Sequence, residues 1–292
     1  MKFELKKNLT KHELGDLARL VENQEGDIAL ADLSFDARLE QLLEELICER
    51  ENKLINRLIK AASFKYPMAS IESLDFDARQ VKKNTIINLA AMGFVATATN
   101  LIITGPTGAG KTYLSCALGI EACKKTYRVF YIRMPDLMRN FEDRRDDLKE
   151  LTRYRKRLGN YNILIIDEWL DYKLNERDAK MLYELFEQRS GNNSTIFVGQ
   201  FPVAEWHDRL GGGTQADSIM DRIVHNAYEI PSSETNLRKI YESKKLANLK
   251  VVLCQEKVQV KSELFLITLH FLSSQSFYFI QFLLIHILIF IW

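Results

Sequence analysis

The sequence predicts an α/β protein, a parallel sheet flanked by helices and preceded by a small all-helical N-terminal domain. Three observations carry this. From Asn84 onward, short apolar runs alternate with helical stretches, the pattern of parallel strands joined by right-handed crossovers. A glycine-rich loop stands between the first of these runs and a helical stretch. Residues 1–68 show helical periodicity and no strand-like run.

The N-terminal helices come first. Thr10-Lys11-His12-Glu13 reads as a capping box ahead of Leu14, Leu17, Leu20 and Val21. Beyond Gly26, Ser34 is placed to cap a long helix. Its apolar positions, Leu39, Leu42, Leu43, Leu46, Ile47, Leu54, Ile55, Leu58 and Ile59, recur at three- and four-residue spacing, and Pro67 is expected to end it. No strand or catalytic cluster falls here, so residues 1–68 read as a small helical module and not as a second enzyme domain.

Five candidate strands follow in a domain spanning 69–250: Asn100–Thr104, Tyr127–Arg133, Asn162–Ile166, Thr195–Gly199 and Ala227–Ile230. The unbroken apolar runs NLIIT and NILII suit central strands covered on both faces. The 47% hydrophobic and 27% charged fractions supply a core without disulfides or structural metal. A formal charge of +1 excludes a uniformly basic DNA-coating protein and leaves local basic patches open. Cys116 and Cys123 fall on one face of a helix as small core residues, and no CxxC pair occurs. Reduced cysteines, and an N-terminus without the apolar core of a signal peptide, fit a cytoplasmic protein. The segment 251–292 is atypical, with no formal charge from Leu264 to Trp292. Three readings fit it: a membrane anchor, a buried apolar helix, or non-native sequence appended after loss of an upstream stop or frame. No membrane contact is expected unless that tail is an anchor.

The loop itself, Gly105-Pro106-Thr107-Gly108-Ala109-Gly110-Lys111-Thr112, matches G-x-x-x-x-G-K-[ST] at every fixed position. Its glycines let successive backbone N–H groups curl around an anion, and the following helix adds its positive end. Lys111 is expected to reach the β- and γ-phosphates of ATP, and the Thr112 hydroxyl to ligate Mg²⁺. Ile163-Leu164-Ile165-Ile166-Asp167-Glu168 is a strand ending in two acids. Asp167 fits the Mg²⁺ shell and Glu168 the orientation and deprotonation of an attacking water. Alone, such a strand end is commonplace; behind a P-loop it reads as a catalytic pair. Gln200, at the tip of the next apolar strand, is placed to sense the γ-phosphate and position water. Arg209, Arg222 and Arg238 are candidates for stabilising a transferring phosphate, supplied to a neighbouring subunit.

These strings together resemble a known family. Leu101–Ala117, the Asp-Glu strand, Gly199-Gln200-Phe201-Pro202 through Trp206-His207, and the run Ala216–Ala227 are similar to IstB-type transposition helper ATPases. That family belongs to the AAA+ superfamily, close to the DnaC-type helicase loaders, and the likeness covers roughly Leu9 to Lys250. The resemblance implies an insertion-sequence ATPase that forms a homo-oligomer on duplex DNA with ATP and directs a cognate transposase to its target. It puts Gln200 at the sensor-1 place, Arg222 at the arginine-finger place and Arg238 at a sensor-2 place. A DnaC-like helicase loader acting in replication is the alternative. The chain departs from the pattern at Leu170, where many relatives carry glycine, at Gly211-Gly212-Gly213, and in the apolar tail.

Two basic stretches are candidate DNA contacts. Arg50, Lys53, Arg57 and Lys60 share one helix face, interleaved with acids that fit a plain solvated helix equally. A second cluster, Arg139 to Arg157 with Arg144, Arg145, Lys149, Arg153, Arg155 and Lys156, is also acid-interleaved. No helix-turn-helix or zinc module is evident, so DNA binding is expected to be sequence-tolerant and salt-sensitive.

Overall fold

The apolar runs become five parallel strands: β1 (Asn100–Thr104), β2 (Val129–Arg133), β3 (Ile163–Trp169), β4 (Ser194–Gly199) and β5 (Ala227–Pro231). A computed structural model describes residues 3–30, 32–76 and 82–231, which fall within the unit Met1–Thr235. Arg238 and the 251–292 tail lie outside the described residues. The sheet order is β2-β3-β4-β1-β5, every pair parallel. β2 starts two residues later than its apolar pattern, and β3 runs on through the acidic pair to Trp169 with an irregularity between Asp167 and Trp169.

Strand alternation sends neighbouring side chains to opposite layers. Leu101, Ile103, Ile163, Ile165, Ile196 and Val198 meet α6 (Lys111–Lys124) on one face, with the end of α3 (Phe35–Ala62) and α4 (Lys83–Ala90) beside it. Ile102, Leu164, Ile166 and Phe197 meet the other face. That layer holds α7 (Met134–Glu142), α8 (Leu148–Gly159), α9 (Glu176–Arg189), α10 (Trp206–Arg209) and α11 (Gly213–Val224). Both faces are covered, as the unbroken apolar runs require. α6 is buried over most of its circumference, and Cys116 and Cys123 are core residues on it, their thiols pushed up by burial to about 11 and about 12. A short helix α5 (Gly93–Ala96) leads into β1.

Below the strands, α1 (Phe3–Lys11) and α2 (Gly15–Glu25) pack at the start of α3, where Leu20, Leu42 and Leu46 form a small core. Ser34 caps α3 as expected, its hydroxyl accepting the Ala37 N–H at 3.3 Å. The capping box at Thr10–Glu13 does not form. Thr10 lies inside α1, its hydroxyl donating to the Lys6 carbonyl at 2.9 Å, and α2 begins after Leu14 with no side-chain cap. Nor does Pro67 end α3. The helix stops at Ala62, where Ser63 turns left-handed at φ 57°, which lets Phe64 enter the core.

Two packing devices fix the far layer. Trp169, Phe197 and Trp206 meet edge-on or tilted with ring centroids 4.7–5.8 Å apart, and the Trp206 indole donates to the Phe201 carbonyl at 3.0 Å. Arg189 is a buried guanidinium at the end of α9. It donates to the carbonyls of Leu158 (2.7 Å), Tyr161 (2.9 Å) and Ser194 and to the Thr195 hydroxyl (2.9 Å). It therefore satisfies the open C-terminal carbonyls of α8 and ties that helix to β4.

Candidate active site

β1 delivers the P-loop at its carboxyl end, and three glycines make the loop possible. Gly105, Gly108 and Gly110 have φ of 148°, 88° and 78°, conformations in which a Cβ is strained. The last of them is the N-cap of α6, so the helix begins directly at Lys111. The Lys111 ammonium folds back over its own loop and donates to the carbonyls of Gly105 (2.6 Å) and Pro106 (2.9 Å). It is a buried residue at the mouth of the loop, where a phosphate would compete for it.

The second wall comes from β3. The Thr112 hydroxyl donates to the Asp167 carboxylate, 2.9 Å to Oδ2 and 3.2 Å to Oδ1. Asp167 is buried, and its oxygens also accept the Glu168 N–H (3.0 Å, Oδ1) and the Tyr131 hydroxyl (2.7 Å, Oδ2). The Tyr131 phenol is pushed far above its usual range by burial and by the neighbouring Asp167 charge, so it remains a donor. Glu168 is partly exposed and lies 3.8 Å from the Arg133 guanidinium at the end of β2. Its backbone is left-handed at φ 58°, as is that of Leu170 at φ 53°. Leu170, where the resemblance leads to an expectation of glycine, takes a glycine-like conformation nonetheless. Its side chain is wholly buried, its N–H donates to the Met134 sulfur at 3.0 Å, and its carbonyl accepts from Arg209 at 2.8 Å.

β4 lies between β1 and β3, so its tip enters the gap between the loop and the acids. There Gln200 accepts from the Thr107 hydroxyl at 2.7 Å and donates to Asp171 at 3.3 Å, spanning the two walls. Gly199 is needed for that approach: a Cβ on it would stand 2.9 Å from the Trp169 carbonyl oxygen.

The arginines separate by position. Arg209 is spent on the Leu170 carbonyl and stacks on Phe201, so it does not face the P-loop. Arg222, on α11, pairs with Glu187, donates to the Ser218 carbonyl at 2.8 Å and lies over the Tyr183 ring. Its own carbonyl lies 3.4 Å from the Asn100 amide, at the opposite end of β1 from the P-loop. Four residues of strand, about 13 Å, separate those ends, so Arg222 does not serve the P-loop of its own chain. Arg238 lies outside the described residues.

Of the candidate DNA contacts, Arg50 holds Asp16 through two bonds of 2.8 and 2.9 Å, joining α3 to α2. Lys53 sits 3.7 Å from Glu49, which Arg19 also grips, while Arg57 and Lys60 are exposed and form no ion pair with any described residue. In the second cluster Arg139, Arg144, Arg145 and Arg155 are paired with Asp136, Glu150, Glu142 and Glu184. Lys149, Arg153 and Lys156 remain exposed on one face of α8 without an ion pair to a described residue. The contacts of Tyr131, Arg133 and Asp171 had no motif to announce them; the only signal was the period-two placement of Tyr131 and Arg133 on the strand beside the acidic pair.

Comparison with known proteins bears on this site. The model of IstB-like ATP binding proteins matches residues 7–245. An insertion sequence ATP-binding protein of Sinorhizobium fredii is 34% identical over 222 residues, covering 76% of this chain and 88% of that one. The ATP-binding protein of an insertion sequence in Pseudomonas fluorescens is 37% identical over 190 residues, covering 65% and 82%. Among solved structures, DnaI matches with a TM-score of 0.48 at 22% identity over 57% of this chain and 92% of its own, and the DnaC helicase loader with 0.47 at 19% over 56% and 97%. With the P-loop, the acidic strand and the strand between them in place, and with the family model spanning residues 7–245, the chain belongs to the IstB-like ATP binding proteins.

Proposed function

We propose that the protein binds and hydrolyses ATP as a helper of DNA transposition, forming a homo-oligomer on duplex DNA and directing a partner transposase to its target in the cytoplasm. The observation that carries the chemistry is the junction of Thr112, Asp167 and Gln200 around the P-loop. Relatives named for insertion sequences support the biological setting.

The donor set fits Mg²⁺. Thr112 and Asp167 are hard oxygen donors already in contact, and the Thr112 proton points to the carboxylate, leaving the hydroxyl lone pairs for a cation. When bound, Mg²⁺ would neutralise charge on the β- and γ-phosphates. The remaining work belongs to side chains. The P-loop N–H groups seat the phosphates, and Lys111 exchanges its two loop carbonyls for phosphate oxygens. Gln200 holds the attacking water, and Glu168 takes its proton. Arg222, remote from its own P-loop, completes the site of a neighbouring subunit. The exposed cations Arg57 and Lys60 on α3, and Lys149, Arg153 and Lys156 on α8, supply phosphate attraction without base reading.

The test is ATP-dependent binding of the full chain to long, random-sequence duplex DNA, with Lys111→Ala alongside. Assembly that needs ATP and fails in the variant supports the helper role. ATP binding without any response to duplex sinks it and turns attention to a helicase partner. Among the described residues no helix is long and apolar enough to cross a membrane.

A further inference from the structure

The P-loop and the acidic strand account for Thr112 and Asp167 but not for the second hydroxyl on that carboxylate, which comes from Tyr131. Tyr131 projects from the edge strand β2 onto the α6 face of the sheet, two residues before the Arg133↔Asp167 pairing. Its ring is almost wholly buried, and its hydroxyl lies 2.7 Å from Asp167 Oδ2. A carboxylate turns readily about its last torsion, so two oxygens fixed by separate donors define its plane. Here the Glu168 N–H fixes Oδ1 and Tyr131 fixes Oδ2. The Thr112 hydroxyl also reaches Asp167, but that hydroxyl is the one a cation would engage. Tyr131 is the other side-chain donor on Asp167, and it lies outside the P-loop.

We propose that Tyr131 is a positioning residue for the metal–nucleotide complex: its hydroxyl sets the plane of the Asp167 carboxylate, so that the lone pairs left over face Thr112 and the incoming cation. The proposal rests on the Mg²⁺-nucleotide reading of the site. Residues that orient a metal's ligands weaken metal affinity by about ten- to a hundredfold when removed. The hydroxyl contributes nothing to the P-loop cradle itself, so metal-free nucleotide binding is left alone.

The experiment compares the full chain with Tyr131→Phe, using a fluorescent ATP analogue, first in EDTA and then across a Mg²⁺ titration. The expected result is metal-free affinity within about twofold of wild type, with the Mg²⁺ concentration for half-maximal enhancement raised about tenfold. Equal half-saturation in the two proteins overturns the proposal. So does a parallel loss in EDTA with a lower unfolding midpoint, which would mark a purely structural hydroxyl. A wild type that ignores Mg²⁺ sinks the cation reading and this role with it. Asp167→Asn supplies a second arm. In that background Tyr131→Phe should leave the Mg²⁺ response unchanged, and a further shift would show that Tyr131 acts by another route.

Discussion

Leu170 sets two penalties against each other, and replacing it with glycine measures which is larger. Its φ of 53° lies in the left-handed region, where a side chain costs about 1–2 kcal/mol that glycine would recover. Its side chain is wholly buried in the layer with Trp169, Leu174 and Leu210. Truncating a buried leucine to alanine costs about 2–5 kcal/mol, and going on to glycine adds backbone entropy of about 0.5–1 kcal/mol. Burial wins, and Leu170→Gly should lose about 2–4 kcal/mol. For a unit of this size that is a fall of roughly 4–16 °C in the thermal midpoint. Scanning calorimetry with a check of reversibility reads it directly. Leu170→Ala keeps the strain and loses most of the side chain, so it should fall within about 1 kcal/mol of the glycine variant. A glycine variant as stable as wild type would show that backbone strain outweighs burial, contrary to the ordering above.

Three further outcomes follow from the site and the helical module. Glu168→Gln keeps the size of the side chain and removes its basicity, so nucleotide binding should persist while turnover drops by about 10²- to 10⁴-fold; unchanged turnover in a phosphate-release assay would remove Glu168 from the chemistry. Arg222→Ala removes a partly buried guanidinium together with its pair to Glu187, so its unfolding midpoint is measured alongside, and it should abolish turnover in assemblies while single subunits still bind ATP. Mixing it with Lys111→Ala protein should restore activity, and a mixture as inert as its parts would end the case for a finger supplied across subunits. In the helical module, Arg50 holds the Asp16 carboxyl well below the usual carboxylate range. A group depressed in the folded state stabilises above its unfolded value, about 3.9, and loses that contribution as the pH falls toward the lowered value. Asp16→Asn should therefore make the unfolding midpoint less sensitive to acid below about pH 4, and identical acid limbs for the two proteins would contradict the pairing.

How much of this was legible beforehand depended on range. β1 matched its pattern residue for residue, because a strand covered on both faces leaves an unbroken apolar run. The P-loop was legible because a left-handed backbone demands glycine at fixed intervals. The Thr10–Glu13 cap failed because a short motif records only local preference, and α1 absorbed Thr10 into its last turn. Arg209 and Arg222 looked alike as residues in a row, and only the third dimension assigned one to a carbonyl and set the other at the far end of β1. Tyr131 carried no more than its period-two position for a related reason: its partner lies across a strand pairing, 36 positions away in the chain.

The placing of β4 bears on how the protein can change state. Residues 196–199 are in register with β1 on one side and with β3 on the other, and Gly199 has no slack against the Trp169 carbonyl. A strand bonded along both edges cannot slide without undoing two ladders at once, so Gln200 is anchored like a gauge needle on a fixed mount. For the proposed ATPase this makes the sheet the fixed reference, and any response to nucleotide would fall to the loops beyond its tips. A neighbouring subunit in the proposed assembly would then read the nucleotide through those loops, with the strands keeping the reading calibrated.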